Sequence, residues 1–230
     1  MKAMILAAGR GDRMRPLTDK LPKPLLEVAG KPLIQFHVEK LVAAGFRELV
    51  INTSWLGSLI EDFLGDGSAW GCEIQWSREP AALETAGGII QALPLLGSAP
   101  FAVINSDIWT DFCFAGLQAS KLASGPGAHL VMVDNPAQHS EGDFVLTSSG
   151  LLRPRNGPQA SGDRALTYSG MSIFCAGFFR GRATEKLPLR PLLDEAMQRN
   201  RLWGEYYAGR WCDVGTPARL AELDAELTIL

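Results

Sequence analysis

Residues 2–25 read KAMILAAGRGDRMRPLTDKLPKPL. The first six, KAMILA, are apolar after Lys2 and stop at Ala8-Gly9, which suits a short strand buried on both faces. Residues 10–24 then carry two prolines around one lysine, a further glycine and three arginines, the composition of an ordered basic loop. Gly9 and Gly11 let the backbone approach a phosphate, and the amides exposed there form an anion nest. Arg13, Arg15 and Lys23 supply the cations that a polyphosphate needs.

Outward from this strand and loop, apolar runs alternate with amphipathic ones. Residues 32–44 predict a helix with Pro32 in its first turn and Gly45 at its end. Strands are expected at 48–52, 73–76 and 101–105, and helices at 56–64 and 85–93. The second half is less regular. It predicts strands at 129–133, 144–147, 168–174 and 202–207, a polar loop at 153–164, and a helix at 190–199. Thr216 caps a final helix that Pro217 opens. The pattern predicts an α/β fold, a Rossmann-like, doubly wound and mostly parallel mixed sheet, as one domain over residues 1–230. Ligands on such sheets bind beyond the carboxyl ends of the strands. The glycine loop and the Asn105-Ser106-Asp107 turn therefore fall on one rim.

Bulk properties narrow the function. A formal charge of -3 gives no basic footprint, so nucleic acid is not an expected partner. Four scattered cysteines without a C-x-x-C pair read as reduced thiols. No apolar run approaches the ~20 residues of a membrane span, and the first residues lack a secretory pattern. A cytoplasmic location is the expectation. Oligomeric state is not legible.

Other phosphate motifs fit poorly. Met14 stands where a dinucleotide fingerprint needs its third glycine, and no G-x-x-x-x-G-K-[ST] string is present. Asp107, at the end of an apolar strand, is a natural ligand for an oxygen-preferring cation such as Mg²⁺. Asp213, before a glycine turn and a helix start, is a second candidate. Taken singly, each aspartate also suits a turn or a cap. Glu79 can accept the N3–H of uracil or two N–H groups of guanine. Gly87 and Gly88 also suit a glycine-rich turn into a helix. His37, His129 and His139 form no metal set; His37 and His129 suit structural positions.

The loop resembles the signature G-x-G-x-R-x-x-P-x-T-x-x-x-P-K-P of the nucleotidyltransferases that make nucleotide sugars. Gly9, Gly11, Arg13, Pro16, Thr18, Pro22, Lys23 and Pro24 fill its fixed positions. The resemblance implies the family's GT-A-like fold, with nucleotide bound by about residues 1–110 and sugar by about 111–230. It implies catalytic roles for Arg13 and Lys23, and Mg²⁺ on Asp107 and Asp213, which match the family's N-x-D and W-x-D-x-G-T segments. Nucleotide contacts are implied at Ala8, Gly9, Gly11, Asp12, Arg13, Lys23, Glu79 and Thr85. Sugar-phosphate contacts are implied at Asn105, Gly142, Asn156 and Gly170. Residues 83–88, LETAGG, resemble the family's L-G-T-A-G segment, with Glu84 in place of the usual glycine.

Within the family, LETAGG and the NSDIW string at 105–109 resemble those of the N-acetylmuramate 1-phosphate uridylyltransferases of cell-wall recycling. That resemblance implies UTP and a muramate 1-phosphate as substrates. A lactyl carboxylate calls for a cation, for which Arg153, Arg155 and Arg201 are candidates. Mannose or heptose 1-phosphate guanylyltransferases share parts of these strings. A non-catalytic regulatory protein that binds nucleotide sugars is the alternative of another class.

Overall fold

The computed structural model describes residues 1–117, 122, 127–157 and 160–229. Its centre is a nine-stranded sheet. Strand β1 (Ala3–Leu6) lies between β4 (Glu48–Thr53) and β6 (Phe101–Asn105), parallel to both. Beyond β4 lies β5 (Glu73–Arg78), also parallel. The apolar run of β1 is explained by this position, since Ala3, Met4 and Ile5 are fully buried between two layers.

On the other side of β6 runs β11 (Arg164–Phe174), antiparallel to it. Its far edge pairs with β8 (Ala128–Val133), which pairs in parallel with β12 (Leu202–Tyr206). The front half of β11 pairs with β9 (Phe144–Leu146), and β9 with β10 (Leu152–Pro154). Within this sheet only β10 and β11 run against the others, so it is mixed and mostly of one direction.

Helices α1 (Leu33–Ala43) and α2 (Gly57–Leu64) cover one face, and α3 (Glu84–Leu96) and α4 (Arg190–Gln198) the other. The last helix, α5 (Pro217–Thr228), packs on a small hairpin of β2 (Glu27–Val28) and β3 (Lys31–Pro32). Thr216 does cap α5, accepting from the Arg219 amide.

Several boundaries differ from expectation. Pro32 is the residue before α1 rather than its first turn, because it closes the β2–β3 hairpin. Helix α3 runs on through Pro94 to Leu96. Gly87 and Gly88 lie inside it, as close-packing positions: a Cβ on Gly88 would meet Glu79 Oε1 at 2.5 Å. The expected loop at 153–164 holds most of β10 and the start of β11, whose polar side chains face solvent while the backbone pairs with β9. Residues 158 and 159 of that stretch lie outside the described residues. Among the described residues no helix is long and apolar enough to cross a membrane.

The order β5-β4-β1-β6 places a topological switch between β1 and β6. The chain leaves β1 toward α1 and β4 but returns on the opposite side at β6. Their two exit loops diverge and leave a crevice at the rim.

Candidate active site

A cavity of about 500 Å³ opens at that crevice, a size suited to a small-molecule ligand. One wall is the loop after β1. Gly11 adopts the left-handed φ of +69° that starts a tight turn at Asp12–Met14, and the Thr18 hydroxyl donates to its carbonyl at 2.9 Å. Met14 is fully buried, which explains an apolar residue where a dinucleotide loop has glycine: it anchors the turn. Gly9, Asp12 and Arg13 are left exposed at the cavity, whose lining also includes the half-buried Gly11 and the buried Ala8. Arg15 instead points at Asp19, 2.9 Å away, and does not line the cavity.

Lys23 is buried between Pro22 and Pro24 and directs Nζ to Asp107 Oδ2 at 2.7 Å. Asp107 follows β6, and the Ser106 hydroxyl donates to the Leu6 carbonyl at 2.6 Å, fastening the end of β6 to β1. About a third of the Asp107 side chain remains exposed.

Asp213 reaches this neighbourhood through a ribbon that sequence reading missed. Strand β7 (Ile108–Thr110) pairs antiparallel with β13 (Trp211–Asp213), with Asp213 opposite Ile108. The Val214 amide donates to the Asp107 carbonyl at 2.9 Å. The Asp213 carboxylate accepts from Arg219 Nη1 at 2.8 Å, and Gly215 lines the cavity beside it. A Cβ on Gly215 would meet Arg219 Nη2 at 2.2 Å, so the glycine makes room for the guanidinium.

At the other end of the cavity lie Asn52, Glu79, Ala82, Glu84 and Thr85. Glu79 is buried, and both its oxygens accept bonds, from Asn52 Nδ2 at 2.6 Å and from the Leu83 amide at 2.9 Å. Asn52 Oδ1 in turn accepts from the Ala7 amide at 2.8 Å. Asn52 thus ties the first wall to the second, a part not anticipated from sequence. The one available signal was an amide near the rim end of a buried strand.

Asn105 lines the cavity, and Gly170 backs it from a bulge in β11. Gly170 has φ +82°, and a Cβ there would stand 2.8–3.0 Å from the Asn105 side chain. Gly142 and Asn156 do not line the cavity. A Cβ on Gly142 would meet Asn135 Oδ1 at 2.6 Å, and Asn156 is exposed in the turn after β10.

Of the three arginines considered for a carboxylate, Arg153 is exposed on β10 and Arg155 pairs with Glu141 at 2.5 Å. Arg201 immediately precedes β12, level with Ala128, Phe174 and Phe101. That is the end of the sheet opposite the rim, which removes Arg201 from any role at this cavity.

His37 is buried in α1, its Nε2 2.9 Å from the Ile108 carbonyl, and burial pushes its pKa down to about 4. Among the described residues no three His, Cys, Asp or Glu side chains cluster as a metal cage. Asp107 and Asp213 nevertheless suit a hard cation, since Mg²⁺ is commonly held by one or two carboxylates plus phosphate oxygens.

The nucleotidyl transferase family model matches residues 2–142. The N-acetylmuramate alpha-1-phosphate uridylyltransferase of Neisseria meningitidis serogroup B is 53% identical over 98% of this chain and 97% of its own length. The mannose-1-phosphate guanyltransferase of Gibberella zeae is 33% identical over 94% of this chain but only 61% of its own length. In fold, the chain is similar to a Bacillus anthracis protein described as a glucose-1-phosphate thymidylyltransferase, with a TM-score of 0.85 at 20% identity, covering 100% of this chain and 96% of that one.

Proposed function

The chain belongs to the nucleotidyl transferase family, and on that premise we propose that it joins UTP to N-acetylmuramic acid 1-phosphate, releasing pyrophosphate and UDP-N-acetylmuramic acid. As a family member it is an enzyme acting on a nucleoside triphosphate and a sugar phosphate. The observation that carries the finer reading is the 53% identity, end to end, to an enzyme of that name. The guanyltransferase relative is more distant and extends well beyond the matched region. A part in cell-wall recycling follows from the proposed product.

In this reading an oxygen of the sugar phosphate forms a bond to the α-phosphorus, and the bond from that phosphorus to the pyrophosphate oxygen breaks. The nucleophile is already largely ionised near neutral pH, because the second pKa of a phosphate monoester is ~6. No general base is required. The barrier is one of alignment and of repulsion between anions.

The loop amides from Ala8 to Asp12, with Arg13, take the triphosphate. Lys23 neutralises charge at the transferring phosphate. Asp107 and Asp213 would hold Mg²⁺, which when bound would supply Lewis-acid stabilisation of the charge that develops on the phosphates. Glu79 and Thr85 belong to the base end of the cavity. Asn105, braced by Gly170, faces the sugar phosphate, while Gly142 and Asn156 shape its approach. Arg153 and Arg155 are the remaining cations for the lactyl carboxylate.

Incubation of the protein with UTP, N-acetylmuramic acid 1-phosphate and Mg²⁺, followed by mass analysis, tests the reading. UDP-N-acetylmuramic acid is the expected product. A nucleotide sugar formed only with GTP would overturn it.

A further inference from the structure

The end of the sheet opposite the rim carries a second, smaller cavity of about 100 Å³. Arg180, Arg182, Arg199 and Arg201 line it, against one carboxylate, Glu195. In a chain of formal charge -3, so dense a positive cluster needs a reason.

Two pinned turns bring these arginines together. The first follows β11, where the short turn Ala176–Phe179 ends on Phe179, buried against Phe101 and Phe174. Just beyond it, the Arg180 and Arg182 amides donate back to the Gly177 and Phe179 carbonyls, both at 3.3 Å. The second turn closes α4. Asn200 has φ +52°, and the Arg201 amide donates to the Ala196 carbonyl at 2.9 Å, a helix end built on a left-handed residue.

Contacts within the protein account for part of the cluster. Arg182 Nη2 donates to both Glu195 oxygens, at 2.7 and 2.6 Å, and Arg199 Nη2 stands 3.9 Å from the same carboxylate. The C-terminal end of α4 favours cations and accommodates Arg199 and Arg201. Arg180 gains from neither. Among the described residues, Arg180 and Arg201 pair with no carboxylate, while Glu195 is already shared by the other two arginines. Four guanidiniums around one carboxylate repel one another, and an anion among them relieves that repulsion.

The size and the donors name the anion. With a fifth of the volume of the active cavity, the site has room for a phosphate group and not for a nucleotide. Guanidinium forks match phosphate oxygens two at a time. We propose that this cavity is a second anion site, apart from the active cavity, that takes the phosphate group of inorganic phosphate or of a small phosphate monoester.

Calorimetric titration with inorganic phosphate tests this in a chain whose active cavity is disabled by Arg13→Ala with Lys23→Ala. That chain still takes up one phosphate. Adding Arg180→Ala and Arg201→Ala weakens the uptake about 10- to 100-fold. Both side chains are exposed, so the melting temperature without phosphate holds. In the otherwise unmodified chain, Arg180→Ala alone reduces the rise in melting temperature that phosphate produces. Glycerol 1-phosphate separates the two sources: equal binding marks an ester as the ligand, much weaker binding marks the free ion, and either upholds the site. No uptake by the chain with the disabled active cavity, uptake that loss of Arg180 and Arg201 leaves unchanged, or equal uptake of chloride at the same ionic strength overturns the proposal.

Discussion

Lys23 Nζ donates to Asp107 Oδ2 across 2.7 Å, joining the loop after β1 to the turn after β6. The two residues are 84 positions apart, and their meeting spans the switch point of the sheet. Lys23→Ala and Asp107→Ala should each lower turnover by about 10²–10³, the usual loss of one charge-stabilising group. Pyrophosphate release at saturating substrates measures this. Near-normal turnover in either variant would remove that residue from the chemistry.

Arg10 stacks on Trp55, with Cζ 3.9 Å from the ring centroid, and both side chains donate to the Thr18 carbonyl. This latch fastens the glycine loop to the segment before α2. A cation–π contact at an exposed site contributes about 0.5–1 kcal/mol, too little to govern the whole fold. Trp55→Ala should therefore raise the KM for the nucleotide several-fold with little change in melting temperature, and Trp55→Phe should restore most of the affinity. An unchanged KM in Trp55→Ala would show that the loop holds its shape without the latch.

Gly170→Ala should disturb both stability and substrate binding. Its left-handed φ costs an alanine about 1–2 kcal/mol, and the new Cβ would press on Asn105. Urea titration should show that loss. Kinetics should show a raised KM for the sugar phosphate and an unaltered KM for the nucleotide. Equal rises in both would mean that Asn105 does not face the sugar side.

His37 gives a pH prediction. Burial lowers its pKa from 6.5 to about 4, so the folded chain keeps it neutral where the unfolded chain takes up a proton. Between those values the unfolded state binds more protons, so stability rises with pH and is lost on acidification through the window. The loss is about 3 kcal/mol by pH 4, at roughly 1.4 kcal/mol per unit. His37→Phe, beside Phe114, should flatten stability between pH 6.5 and 4. A slope equal to the wild type's would assign the acid sensitivity elsewhere.

How much of this was legible in sequence depended on range. The loop, β1, β4, β6 and their helices were readable because apolar runs and turn residues announce elements locally. Front-half β11 and β10 were hidden because Arg153, Pro154 and Arg164 are polar or exposed, and only pairing with β9 makes them strands. Asp213 was nominated by its turn, but the β7–β13 ribbon that carries it beside Asp107 is long-range pairing without a local signal. Trp55 and Arg219 went unnoticed for the same reason. Arg201 was nominated by charge alone, and strand direction puts it at the wrong end.

The most direct test of the account pairs UTP and GTP with N-acetylmuramic acid 1-phosphate and mannose 1-phosphate, each with Mg²⁺, and follows pyrophosphate release. Release should be fastest from UTP with the muramate and should collapse in Lys23→Ala. Fastest release from GTP with mannose 1-phosphate, or no release from any pair, would contradict it.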